Sequence, residues 1–151
     1  MADIVSTETR SRMMAGIRAT NTKPEIAVRK ALFARGFRYR IHAREISGNP
    51  DLLLPKYCAA VFVHGCFWHG HDCALFKWPK TNVGFWEAKI RRNQLVDQRV
   101  AQDLRQLGWR NLTIWECSLK GPGRIELDKV VERADRWIRS QRRTGVIKGR
   151  R

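Results

Sequence analysis

Residues 63–73 read VHGCFWHGHDC, and they hold three of the chain's four histidines and two of its four cysteines. Thiolates and imidazoles are the ligands that a tetrahedral zinc ion takes, and four protein ligands make such an ion structural. Cys66, His71 and Cys73 form a C-x4-H-x-C loop, and Cys117, at the end of LTIWEC, is a candidate fourth ligand. On chemistry alone His69 or Asp72 could replace His71. Free imidazole titrates near neutrality, so the remaining histidines, His64 and His69, are candidates for proton transfer. Phe67 and Trp68 lie between these groups on a glycine-loosened loop. They either fill a small satellite core or act as apolar wedges, which can pry a base step apart at a cost of a few kcal/mol.

A second constellation starts at Asp51, directly after Pro50 in GNPD. Asp51 opens one predicted strand and His64 closes the next. Adjacent strands ending together would gather the Asp51 carboxylate and the backbone carbonyls near Val63. Such oxygens suit a hard cation such as Mg²⁺, which can neutralise a phosphate and acidify a bound water. The same four residues also make an ordinary turn before a strand.

The elements that must position these groups follow from periodicity. PEIAVRKALFARG predicts a helix from Pro24 to a stop at Gly36, with Ile26, Val28, Leu32 and Phe33 as its apolar face. FRYRI (37–41), DLLL (51–54) and CAAVFV (58–63) predict three strands, and Cys58 reads as an inert core thiol. A long helix runs from Val83 to Leu107, stopped by Gly108. WRNLTIWEC (109–117) predicts a strand and RIELDKVVERADRWIRS a last helix. The result is an α/β fold with a mixed central sheet flanked by helices. On the long helix Trp86, Lys89, Ile90, Asn93 and Asp97 share one face at 100° per residue. Trp109, Trp115 and Trp137 read as core, Trp78 is assigned to neither role, and His42 matches no motif. Residues 1–20 read as a basic arm, 21–140 as one domain, and 141–151 as a solvated basic tail.

The charge narrows the partners. Thirty Lys and Arg against fourteen Asp and Glu give +16 over 151 residues, which points to a polyanion. The longest central apolar run is too short to cross a bilayer, and the N-terminus shows no signal-peptide pattern, so the expected setting is intracellular and cytoplasmic. Reduced thiols then favour a metal site over disulfides. Nucleic acid is the expected partner, not membrane.

Pro50-Asp51 before a buried strand resembles the PD-(D/E)xK nuclease fold, although Phe62-Val63-His64 stands where acidic-x-Lys is usual. Together with FVHGCFWHGHDC, FWEAKIRRN and GWRNLTIWEC it is similar to the very-short-patch repair (Vsr) endonuclease family over most of the chain. The resemblance implies a restriction-endonuclease-like fold with a structural Zn²⁺ on Cys66, His71, Cys73 and Cys117. It implies a catalytic Mg²⁺ on Asp51 and the Val63 carbonyl, with Glu25 nearby. His69 would transfer the proton, oriented by Asp97, with His64 as second histidine. Phe67, Trp68 and Trp86 would intercalate from the major groove, Met14 would approach from the minor groove, and Lys89 and Asn93 would read the mismatch. The implied substrate is double-stranded DNA with a T:G mismatch left by 5-methylcytosine deamination, nicked 5′ of the thymine by a monomer, with other repair proteins as further partners. A nuclease of the same fold with another trigger, or a non-catalytic zinc-stabilised DNA-binding module, is the alternative.

Overall fold

The computed structural model describes residues 22–150, so the expected arm with Met14 lies outside the described residues. Helix α1 spans Lys23–Ala34. Thr22 caps it by accepting from the Glu25 N–H at 3.4 Å, and Pro24 occupies the first turn, where its missing N–H costs nothing. Val28 and Leu32 are buried, as the apolar face predicts, but Phe33 is exposed and carries the Arg38 guanidinium 4.0 Å above its ring. The reason is packing: Phe37, beyond the helix, fills the core instead.

Three short strands follow. β1 is Arg40–Ile41, shorter than the expected 37–41, β2 is Leu52–Leu54 and β3 is Ala59–His64. A turn of 3-10 helix, Pro55–Tyr57, joins β2 to β3. Cys58 ends that turn with φ +50° and is exposed, which corrects its assignment to the core; the buried strand starts one residue later. Helix α2 (Val83–Gln106) leads to β4 (Arg110–Trp115), and a second 3-10 turn, Glu116–Ser118, carries Cys117. Helix α3 spans Leu127–Arg139.

The tail departs from expectation. Thr144–Ile147 forms a fifth strand, β5, paired in parallel with β4 through Asn111–Ile114. The sheet order is β1-β2-β3-β4-β5, antiparallel across β1-β2-β3 and parallel across β3-β4-β5. Alternation sorts the strand residues into two layers. Leu52, Leu54, Ala59, Val61, Leu112 and Ile114 pack against α1 and α3. Leu53, Ala60 and Phe62 pack with Leu104 of α2 on the other face.

Arg110 ties the new strand to this frame. Its guanidinium donates to the carbonyls of Tyr57, Trp137, Ile138, Ser140 and Arg142 at 2.7–3.1 Å and lies 4.3 Å from the Trp137 ring centre. Two of these, Trp137 and Ile138, are last-turn carbonyls of α3, and the Trp137 carbonyl also accepts from the Ser140 N–H and hydroxyl at 3.0 and 2.6 Å. Arg110→Ala should cost about 2–4 kcal/mol, because acceptors in a half-buried place lose a charged donor. A urea unfolding midpoint equal to the parent's would contradict this.

Candidate active site and metal cluster

Register places the acidic end of the site. Leu52 pairs with Val61, so the chain ahead of β2 runs beside the end of β3. The Val63 N–H donates to Asp51 Oδ2 at 2.7 Å. Glu25 reaches the same place from the first turn of α1 and is only 2% exposed. Its Oε2 accepts from Arg29 Nη1 at 2.9 Å and lies 2.7 Å from His42 Nε2. Burial pushes the Asp51 carboxyl up to about 7, against the Val63 hydrogen bond that lowers it, with the nearby Glu25 adding to the rise. Two crowded carboxylates off bulk water are a site that welcomes a cation. Ligand atoms of Glu25, His42 and Asp51 lie within 4.8 Å of one another.

The histidines form the second part. His64 closes β3, and its ring stacks on His69 with centroids 3.8 Å apart and planes at 6°. His69 Nδ1 lies 2.5 Å from Asp97 Oδ2 on α2. That contact fixes the ring and assigns the Nδ1 proton to the carboxylate side, leaving Nε2 to do chemistry. Burial, and then the neighbouring His69, hold His64 down to about 3, so it is neutral near pH 7. Its Nδ1 is buried and has no hydrogen-bond partner among the described residues. Asp51, Glu25, His64, His69 and Asp97 all line one cleft of about 860 Å³.

The loop that carries His69 is clamped by α2. Asn93 Nδ2 donates to the Trp68 carbonyl at 2.8 Å, and Gln94 Nε2 donates to the carbonyls of His69 and Gly70 at 3.2 and 3.4 Å. Gly70 has φ +61°, and a Cβ there would stand 2.5 Å from Gln94 Nε2. Gln94 was not singled out by sequence; its place one residue after Asn93 on the helix is the only signal. Lys89 is half-buried on the same helix.

Cys66, His71, Cys73 and Cys117 converge, with ligand atoms within 4.8 Å. That spacing suits a tetrahedral ion, whose thiolate ligands sit about 2.3 Å from the metal. The Cys117 N–H donates to Cys66 Sγ and the Gly149 N–H to Cys117 Sγ, both at 3.3 Å. Burial and the neighbouring cysteines raise the Cys66 thiol. Three free thiols crowded with an imidazole fit a metal, which would take them as thiolates. Gly149 lies in the stretch expected to be solvated; it abuts this cluster instead.

Between the two centres stands Trp115. Its ring stacks on His71 at 4.0 Å and meets His64 and His69 edge-on at 5.3 and 6.0 Å. It is half-buried, a partition and not the core residue expected. Phe67, Trp68 and Trp86 pack mutually at 5.2–5.8 Å, with Phe76 and Phe85 against them. Trp78 stacks edge-on against Phe76 and is exposed. This rim of rings borders the same cleft, which Phe67 and Trp68 help to line.

Comparison with known proteins bears on this arrangement. The family model described as DNA mismatch endonuclease Vsr matches residues 2–75. The DNA mismatch endonuclease Vsr of Escherichia coli (strain K12) is 38% identical over 138 residues, covering 91% of this chain and 88% of that protein. The type II nicking enzyme V.XorIIP of Xanthomonas oryzae pv. oryzae is 41% identical over 126 residues, 83% of this chain and 93% of its own length. The type II nicking enzyme V.NmeAIP of Neisseria meningitidis serogroup A is 45% identical over 120 residues, covering 80% and 86%. With relatives of this identity and coverage named as a DNA mismatch endonuclease and as nicking enzymes, the chain is an endonuclease. More narrowly, the chain belongs to the Vsr family of DNA mismatch endonucleases.

Proposed function

We propose that the chain nicks one strand of duplex DNA at a T:G mismatch, on the 5′ side of the mispaired thymine, by Mg²⁺-dependent hydrolysis. The observation that carries this reading is the single cleft holding both the Asp51–Glu25 carboxylates and the His64/His69–Asp97 group. An acidic residue just ahead of β2, beside the end of β3, is also what a PD-(D/E)xK-like nuclease requires. Asp51 would hold the cation, with the Val63 carbonyl as a second oxygen, while the Val63 N–H fixes the carboxylate. A bound Mg²⁺ would supply positive charge at the phosphate and lower the pKa of water. His69 takes the proton of the attacking water through Nε2, and Asp97 stabilises the imidazolium that results. His64, neutral and stacked on His69, keeps that ring in place and presents a neutral face to the phosphate.

The Cys₃His cluster would hold Zn²⁺ and so brace the loop that carries His69. Phe67, Trp68 and Trp86 supply a preassembled apolar plug for an opened base step. Aromatic stacking is worth about 1–3 kcal/mol per base, enough to offset unstacking at a weakened pair. Asn93 spends one of its two amide N–H groups on Trp68, so a base would be read through the other N–H or the side-chain carbonyl oxygen, with Lys89 alongside. Met14 would meet the opposite groove. The enzyme would act inside the cell as a monomer, since one strand is cut, and hand the nick to other repair proteins.

The test is one incubation of the protein and Mg²⁺ with labelled duplexes carrying T:G or C:G at one position, the nick being mapped to the nucleotide. Cutting of both duplexes alike would remove the mismatch from the reading. Trp68→Ala should weaken binding to the mismatched duplex about tenfold more than to the matched one. Equal losses in a binding titration would reduce the ring to packing.

A further inference from the structure

His42 belongs to no motif, yet the fold delivers it to the acidic pocket. Ile41 pairs with Leu52, so one step further His42 faces Asp51, and its N–H donates to the Asp51 carbonyl at 3.2 Å. Its backbone is left-handed, φ +52°, a conformation that a residue bearing a Cβ adopts only against steric strain. The strand's alternation breaks there, and the imidazole meets Glu25, with Nε2 2.7 Å from Oε2. Two ligands about 2.1 Å from one ion, at right angles, stand about 3 Å apart. The His42–Glu25 spacing is close to that edge, and an Asp51 oxygen lies within 4.8 Å of both. Arg29, on the same Glu25 oxygen, can stay as an outer charge partner, because a carboxylate offers about four lone-pair positions.

We propose that Glu25, His42 and Asp51 together hold the divalent ion of the cleft, with His42 Nε2 as a nitrogen ligand that favours transition-series ions over Mg²⁺. This deepens the reading of Asp51 as the cation's carboxylate and rests on it. An all-oxygen site suits Mg²⁺, whereas an imidazole adds affinity for ions later in the first transition row. The pocket would therefore accept Mg²⁺ for chemistry yet bind Co²⁺ more tightly.

The experiment is calorimetric titration of the full chain, its Cys₃His cluster loaded with zinc, with Co²⁺ and separately with Mg²⁺. The parent is compared with His42→Gln and with His42→Asn, the latter because asparagine tolerates the left-handed backbone. Both variants should lose about tenfold or more in Co²⁺ affinity and less than about threefold in Mg²⁺ affinity. An equal fall for both ions would make His42 only a hydrogen-bond partner that orients Glu25 and would overturn the inference. So would unchanged Co²⁺ affinity in the two variants. Asp51→Asn separates the two readings: if it binds both ions as the parent does, the assignment of Asp51 itself fails. If Asp51→Asn loses both ions while His42→Gln changes neither, only the role of His42 falls.

Discussion

Asp51→Asn should lose at least about a thousandfold in nicking rate while still binding a mismatched duplex. The substitution keeps the shape and can still accept from the Val63 N–H. It removes the negative charge that a cation needs, and a thousandfold corresponds to about 4 kcal/mol of lost transition-state stabilisation. A pH dependence follows from the same carboxyl. With Asp51 pushed up to about 7, a proton competes with the metal below that value. Apparent metal affinity should therefore rise about tenfold from pH 6 to pH 8 and level off above. The sign for folding is opposite. A raised carboxyl binds more protons folded than unfolded, so metal-free protein should lose stability as pH climbs from about 4 through about 7. A Mg²⁺ titration of nicking at the two pH values, beside metal-free thermal melts, reads both effects. A metal requirement indifferent to pH would count against Asp51 as the ligand.

Cys117→Ser carries the second large effect. Cys117 comes from the turn after β4, whereas Cys66, His71 and Cys73 come from the loop after β3. It is thus the one thiol that fastens the loop to another part of the sheet. It also holds Gly149 through its sulfur. Serine offers a harder, protonated oxygen in place of a thiolate, so the variant should lose its bound zinc. Structural zinc contributes about 10 kcal/mol or more of binding free energy in small folds, and a fraction of that, about 3 kcal/mol or more, should disappear from stability here. Elemental analysis and thermal melting with and without chelator measure it. Full metal content in the variant would exclude Cys117 as a ligand.

Much of this site could be read in the residues themselves. The cysteine and histidine types pointed to a metal cluster, with His69 or Asp72 open in place of His71, and the family resemblance supplied the set of four that the fold brings together. The shared face of Trp86, Asn93 and Asp97 followed from helical pitch, and α2 does turn those residues toward the loop. His42 was opaque for a physical reason: its partner Glu25 is seventeen residues away and is met only because α1 packs over the strand ends. The fifth strand was hidden by charge. TGVI is four residues set among arginines, and its place is decided by pairing to β4 and by Gly145 fitting against Trp137, where a Cβ would come 2.5 Å from the indole nitrogen. Cys58 was misjudged because the apolar run began one residue before the sheet did.

The partition formed by Trp115 has one more implication. His71 leans on one part of that indole, and the His64–His69 stack meets it edge-on. Cys73 is the least buried of the three clustered thiols, so it is where a peroxide would arrive first. A sulfur oxidised to a sulfenic or sulfinic acid binds metal poorly, so an ion held by the four residues would let go of His71, and the indole would lose its support. An oxidant would in this way disturb the His64–His69 stack without ever touching it, and a thiol reductant together with metal would restore it while oxidation had gone no further than the sulfenic stage.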